Sequence, residues 1–160
     1  MSIEERLKSR GIELPAPLKL PAGMVLPFPW VNVCGDRAFI SGHGPQERDG
    51  SPAGPFGQVG ATVSLEDGKR LARYAGLSIL GSLHRELGSL DRITGWCRVF
   101  GMVNCVSGFD KPSAVVNGFS ELILEVFGDE VGRHSRTAVG VAGLPLNFAI
   151  EVEAEVMIRH

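Results

Sequence analysis

The residues best suited to chemistry lie near the end of the chain, in the stretch from Ser135 to Ile158. Arg136 opens one alternating segment, and Glu151, Glu153 and Glu155 fall on a single face of the next. A guanidinium presents a planar fork that meets a carboxylate at two points. A glutamate can hold a water molecule or pass a proton. A cation opening one strand and a carboxylate stripe on its neighbour can together supply both halves of a small-molecule site. The bland alternatives are a surface ion pair for Arg136 and a solvated strand face for the three glutamates.

The elements that must carry these groups are written in the periodicity. Val139, Val141, Ile150, Val152, Ala154 and Val156 recur at the period of a half-buried strand, so two short strands are expected around the Leu144-Pro145 turn. Upstream, WVNVCG and RAFISG read as strands joined by Gly35-Asp36. Ser64 and Asp67 resemble a reciprocal helix cap, and Leu71, Ala72, Ala75, Ile79, Leu80, Leu83 and Leu87 form one apolar stripe ended by Gly88. Ile93 to Val106 reads as a long covered strand. A second helix starts at Asp110 or Lys111, tolerates Pro112 in its first turn, turns Val115, Val116, Phe119, Leu122, Ile123, Val126 and Phe127 inward, and stops at Gly128.

Two further segments frame this core. Ser2 to Arg10 reads as a short capped helix, and Pro15, Pro17, Pro21 and Pro27 then impose extended chain lying over the body. Gln46 to Gly60 reads as a loop, with a turn at Asp49-Gly50 and no phosphate-cradling glycine motif. Residues 1–24 are therefore expected to be an extension and residues 25–160 a single domain. The order strand pair, helix, strand, helix, strand pair places two amphipathic helices on one face of a sheet. An α+β sandwich results, and its other face needs cover, which further copies of the chain could supply.

Composition excludes several functions. The 160 residues carry 16 basic and 18 acidic side chains, and no basic run supports binding to a phosphate backbone. Apolar stretches are broken well before the ~20 residues that span a membrane. The polar amino terminus, MSIEERLKSRG, is unlike a signal peptide, so a cytoplasmic location is expected. Cys34, Cys97 and Cys105 form no CxxC pair and read as small buried hydrophobes in a reducing compartment. His43, His84, His134 and His160 lack metal-ligand spacing, so no metal site is expected.

Three motifs in order resemble one family. They are Arg136-Thr137-Ala138-Val139 followed by Leu144-Pro145 and Ile150-Glu151-Val152-Glu153-Ala154; Phe39-Ile40-Ser41-Gly42-His43-Gly44-Pro45; and Val115-Val116-Asn117 with Phe119 after it. Together they resemble the RidA family of imine/enamine deaminases, also known as endoribonuclease L-PSP or liver perchloric-acid-soluble protein. The resemblance implies a chorismate-mutase-like fold, with two helices packed on one face of a mixed sheet. It also implies a homotrimer with clefts between subunits, and hydrolysis of small 2-imino or 2-enamino acids without a cofactor. In that scheme Arg136 clamps the substrate carboxylate, Glu151 positions the attacking water, and the backbone at Gly42 lies against the substrate.

Other positions follow the same pattern or depart from it. Ala138 stands where many members have Cys, which leaves its backbone carbonyl as the usable group. Asn117 sits on a helix, where Asn is intrinsically poor, and either meets a ligand or neighbouring subunit or faces water. Phe28 falls near a pocket Tyr of the family, so a hydroxyl is missing. His43 replaces a common Gln and either lines the cleft beside Arg136 or faces solvent from a loop. These departures keep open a trimeric carboxylate binder without turnover. An endoribonuclease is opposed by the charge balance and the lack of a base-stacking cluster.

Overall fold

A computed structural model describes residues 1–160. The chain forms a short helix α1 (Ile3–Ser9), strands β1 (Val31–Cys34) and β2 (Arg37–His43), helix α2 (Leu65–Leu87), strand β3 (Ile93–Asn104), helix α3 (Pro112–Gly132), and strands β4 (Ser135–Val141) and β5 (Ile150–Ile158). The five strands make one mixed sheet in the order β1-β2-β5-β3-β4. Only β3 and β4 run parallel.

The local signals act as expected at most boundaries. Ser64 Oγ accepts from the Asp67 amide at 3.0 Å, and Gly88 closes α2 in the left-handed region. The reciprocal bond from Asp67 is absent; its carboxylate pairs with Arg70 instead. The complete capping box belongs to α1, where Ser2 and Glu5 satisfy one another's amides. At Gly128 the backbone leaves helical geometry (φ 73°), and a further turn continues to Gly132. Residues Pro15 to Lys19 lie extended over the body, held by bonds from the Ala16 and Lys19 amides to the 48–50 turn and by Arg85 on the Pro15 carbonyl.

The core lies between the sheet and α2 and α3. Val99 and Val103 of β3 and Ile150, Val152 and Val156 of β5 face the buried stripes of the two helices. Small residues let these layers close. A side chain at Gly101 would meet Val116 at 2.5 Å, and one at Gly118 would sit 1.9 Å from the Lys69 carbonyl oxygen. The opposite sheet face has no covering element, and it carries Phe39, Arg98, Phe100, Glu153 and Glu155 around a shallow depression. The α+β sandwich with both main helices on one face is therefore as expected.

Two expectations need correction. The two terminal strands are not neighbours, because β3 lies between β4 and β5. A strand–helix–strand unit returns parallel to its first strand, and β3–α3–β4 does this at the sheet edge. The cysteines are also not buried: Cys34 is exposed on edge strand β1, and Cys97 and Cys105 are half-buried.

Candidate active site

Arg136 pairs in register with Val99, which pairs with Ala154. Arg136 therefore shares the helix-covered face of the sheet, and strict alternation along β5 turns Glu151, three residues from Ala154, to the uncovered face. The two groups singled out as partners point to opposite sides of the sheet and are two strands apart. One copy of the chain does not bring them together.

Arg136 lies against α3. Its Nη1 donates to Asn117 Oδ1 at 2.9 Å and to Ser120 Oγ at 3.1 Å, and its Nη2 donates to Ser113 Oγ at 2.7 Å and to the Ser113 carbonyl at 3.2 Å. All of these acceptors are neutral. None of the ion pairs in the chain includes Arg136, so the surface ion-pair reading is set aside. Partial burial lowers its pKa from the usual guanidinium value, and the group stays cationic. Asn117 has a reason to be on a helix: its amide oxygen orients this cation. Ala138 lies two residues along β4 on the same face, half-buried against the core. As β4 is a sheet edge, part of its backbone is left without a strand partner.

Ser113 and Ser120 were missed in the sequence, although the signal was present. Ser113, Asn117 and Ser120 stand at i, i+4 and i+7, an uncharged polar stripe beside the apolar one. His134, the residue just before β4, adds to it by bonding Ser120 Oγ through Nε2 at 2.8 Å.

The second cluster forms where β2 meets β5. The register slips between Ile40 and His43, and this irregularity brings Gly42 onto Glu151. A Cβ at residue 42 would stand 2.8 Å from Glu151 Cδ and 2.9 Å from Oε2. Only glycine leaves the carboxylate its place. Burial first, and repulsion from Glu153 second, raise the Glu151 pKa above the usual carboxylate value, which suits a group that holds a water and shuttles its proton. Phe28 is 48% exposed and meets Trp30 edge-on at 6.1 Å.

His43 does not face solvent from a loop. It is 4% exposed at the end of β2, under Trp30 and against α2, on the far side of the core from α3 and Arg136. Its Nδ1 donates to the Ser41 carbonyl at 2.6 Å, and its Nε2 accepts from Ser82 Oγ at 2.8 Å. The ring faces inward because β2 continues through residue 43 in place of the expected loop.

Burial first, and the charge of Arg85 besides, lower the His43 pKa to about 4 from an ordinary value of 6.5. Between these values the unfolded chain takes up a proton that the folded chain refuses. Stability is therefore lost as pH falls from about 6.5 toward about 4, and the loss levels off below that, on the order of 3 kcal/mol. Urea unfolding at pH 7 and pH 4.5 measures this slope, and His43→Gln is expected to flatten it. Parallel slopes in wild type and variant would contradict a neutral buried ring.

No group of His, Cys, Asp and Glu is arranged to hold a metal ion, and no helix is long and apolar enough to cross a membrane. The chain thus offers two separate clusters, a cationic fork on a neutral polar cradle and a carboxyl of raised pKa packed on a bare glycine backbone. Such groups can hold a small carboxylate and deliver water to an electrophilic carbon.

Comparison with known proteins agrees with this architecture. Residues 4–154 match the family described as YjgF/chorismate mutase-like, putative endoribonuclease. Protein TCP17 of Trypanosoma cruzi is 38% identical over 159 residues, covering 99% of this chain and 95% of that protein. The crystal structure of Atu1372 from Agrobacterium tumefaciens, a protein of unknown function, superposes with a TM-score of 0.83 at 35% identity, over 99% of this chain and 94% of that one. A putative endoribonuclease from Shewanella oneidensis gives a TM-score of 0.87 at 30% identity, over 99% of this chain and all 100% of that one.

Proposed function

The chain belongs to the YjgF/chorismate-mutase-like (RidA/L-PSP) family, and from that premise we propose that it hydrolyses small 2-imino or 2-enamino acids to 2-oxo acids and ammonia. The observation that carries this reading is the state of Arg136, a cation held by neutral acceptors and without a carboxylate of its own. Its outer N–H groups serve these acceptors, and Nε–H is the donor left for a ligand carboxylate.

Because Arg136 and Glu151 point to opposite faces of one sheet, the working site is shared between copies. Arg136 of one copy holds the substrate carboxylate, and Gly42 and Glu151 of the partner subunit approach its imine carbon. The uncovered sheet face is the surface such an assembly buries, and a symmetric trimer closes it. Water held by the carboxyl adds to the protonated C=N carbon and gives a carbinolamine. A proton moves to nitrogen, the C–N bond breaks, and ammonia leaves as the 2-oxo acid forms. An iminium is already electrophilic, so this sequence needs no cofactor.

The test is to generate 2-iminopropanoate in the presence of the protein and follow pyruvate and ammonia release. Accelerated release by a species that light scattering reports as a trimer is the expected result. Missing turnover with pyruvate still bound would favour the carboxylate binder, a reading that the absent hydroxyl at Phe28 favours. Ribonuclease activity has no basic stripe to support it.

A further inference from the structure

Around Arg136 the hydrogen-bond inventory fixes where each proton lies. His134 Nδ1 stands 2.7 Å from the Gly132 carbonyl oxygen, which can only accept. Nδ1 therefore carries the ring proton, and Nε2 of the neutral ring is a bare acceptor. Ser120 Oγ lies 2.8 Å from Nε2, so the hydroxyl gives it its single proton. The oxygen lone pairs are then left for Arg136 Nη1 at 3.1 Å. Without an acceptor at Nε2, the hydroxyl proton is free to turn toward Nη1, where two donors would oppose each other. Phe119 packs edge-on against the imidazole at 6.3 Å and holds its plane.

The same wiring occurs once more in the chain. Arg85 Nη2 donates to Ser82 Oγ at 3.2 Å, Ser82 bonds His43 Nε2, and His43 Nδ1 donates to a carbonyl two residues back. There the arginine ends on the Pro15 carbonyl and tethers the amino-terminal segment. At Arg136 the relay ends on a part-buried cation whose Nε–H has no partner within the chain.

We propose that His134 is a positioning residue for ligand binding: acting through Ser120, it sets the plane of the Arg136 guanidinium, and with it the direction of Nε–H, for contact with a carboxylate. This inference rests on the reading of Arg136 as the carboxylate clamp. Burial first, and the charge of Arg136 besides, lower the pKa of His134, consistent with the neutral ring that the relay requires.

Two conservative replacements separate positioning from simple support of the turn at Gly132. His134→Gln places an amide oxygen near the Nε2 position and keeps an acceptor for Ser120. His134→Asn places an amide near the Nδ1 position, keeps the bond to Gly132 and loses that acceptor. Calorimetric titration with pyruvate at pH 7.5 is expected to show binding weakened about three- to tenfold in His134→Asn and changed by less than about twofold in His134→Gln. A residue that only supports the turn gives the reverse order, which would overturn the proposal.

Ser120→Ala supplies the independent check should His134→Asn fold poorly. It is expected to weaken pyruvate about as much as His134→Asn, and wild-type affinity in Ser120→Ala would overturn the relay. Arg136→Lys, run alongside, separates the two levels. Weakened binding there with unaltered Ser120→Ala and His134→Asn sinks the positioning role alone. Unchanged binding in Arg136→Lys removes the clamp, and the relay with it.

Discussion

Arg136→Ala is expected to weaken pyruvate binding by about 2–5 kcal/mol, the range found when one side of a desolvated, hydrogen-bonded charge pair is removed. That is at least about thirtyfold in Kd. Arg136→Lys keeps the charge and loses the planar fork, so its affinity should fall between those of wild type and the alanine variant. Lysine, with three donors, cannot hold the Ser113, Asn117 and Ser120 oxygens and keep a further donor for a ligand. Any imine hydrolysis should fall with binding, while light scattering reports an unchanged assembly, since Arg136 contacts α3 of its own chain. Titration calorimetry on the three proteins measures the series. Equal affinity throughout would leave the deaminase assignment resting on family and fold alone, and those do not establish function.

Gly118→Ala should be the most damaging single methyl group in the chain. Its Cβ would stand 1.9 Å from the carbonyl oxygen of Lys69 and 2.9 Å from the carbonyl carbon. These are backbone atoms of α2, so no rotamer change relieves the overlap and the two helices must separate. Separation loosens the layer in which Phe119 and Leu122 pack beside Gly76. The expected loss is about 3 kcal/mol, the upper part of the range for overpacking, or about 6–12 °C in Tm for a chain of this size. Gly95→Ala is the control: nothing lies within 4 Å of its Cβ, and its stability should stay within about 0.5 kcal/mol of wild type. Thermal unfolding of both variants decides the matter, and a Gly118→Ala protein as stable as Gly95→Ala would refute the close helix approach.

Much of the architecture is legible locally. The boundaries of α2 follow from Ser64 and Gly88, and those of α3 from Pro112 and the break at Gly128. The alternation in β5 is written in Ile150, Val152 and Val156 against Glu151, Glu153 and Glu155. Such signals need only the helix and strand periods and the dihedral demands of Pro and Gly, all properties of short segments. Even Ser113, Asn117 and Ser120 could have been read as one polar stripe. The family motifs were legible in the same way, because each is a short run on one element.

Which strands lie side by side, and which way a face looks, was decided by the tertiary structure. Alternation says that Glu151 and Ala154 face opposite ways, but not which strand lies next to β5. The α3 crossover carries β4 to the sheet edge, parallel to β3, while β5 inserts between β2 and β3. Arg136 and Glu151, 15 positions apart in the chain, consequently end on opposite sides of one sheet. His43 shows the same limit. A solvent-facing loop was one setting open to it, but β2 carries the ring inward, where Ser82, 39 residues away, supplies its partner. Long-range burial settles such contacts, and a segment's own residue pattern contains no record of what it will be buried against.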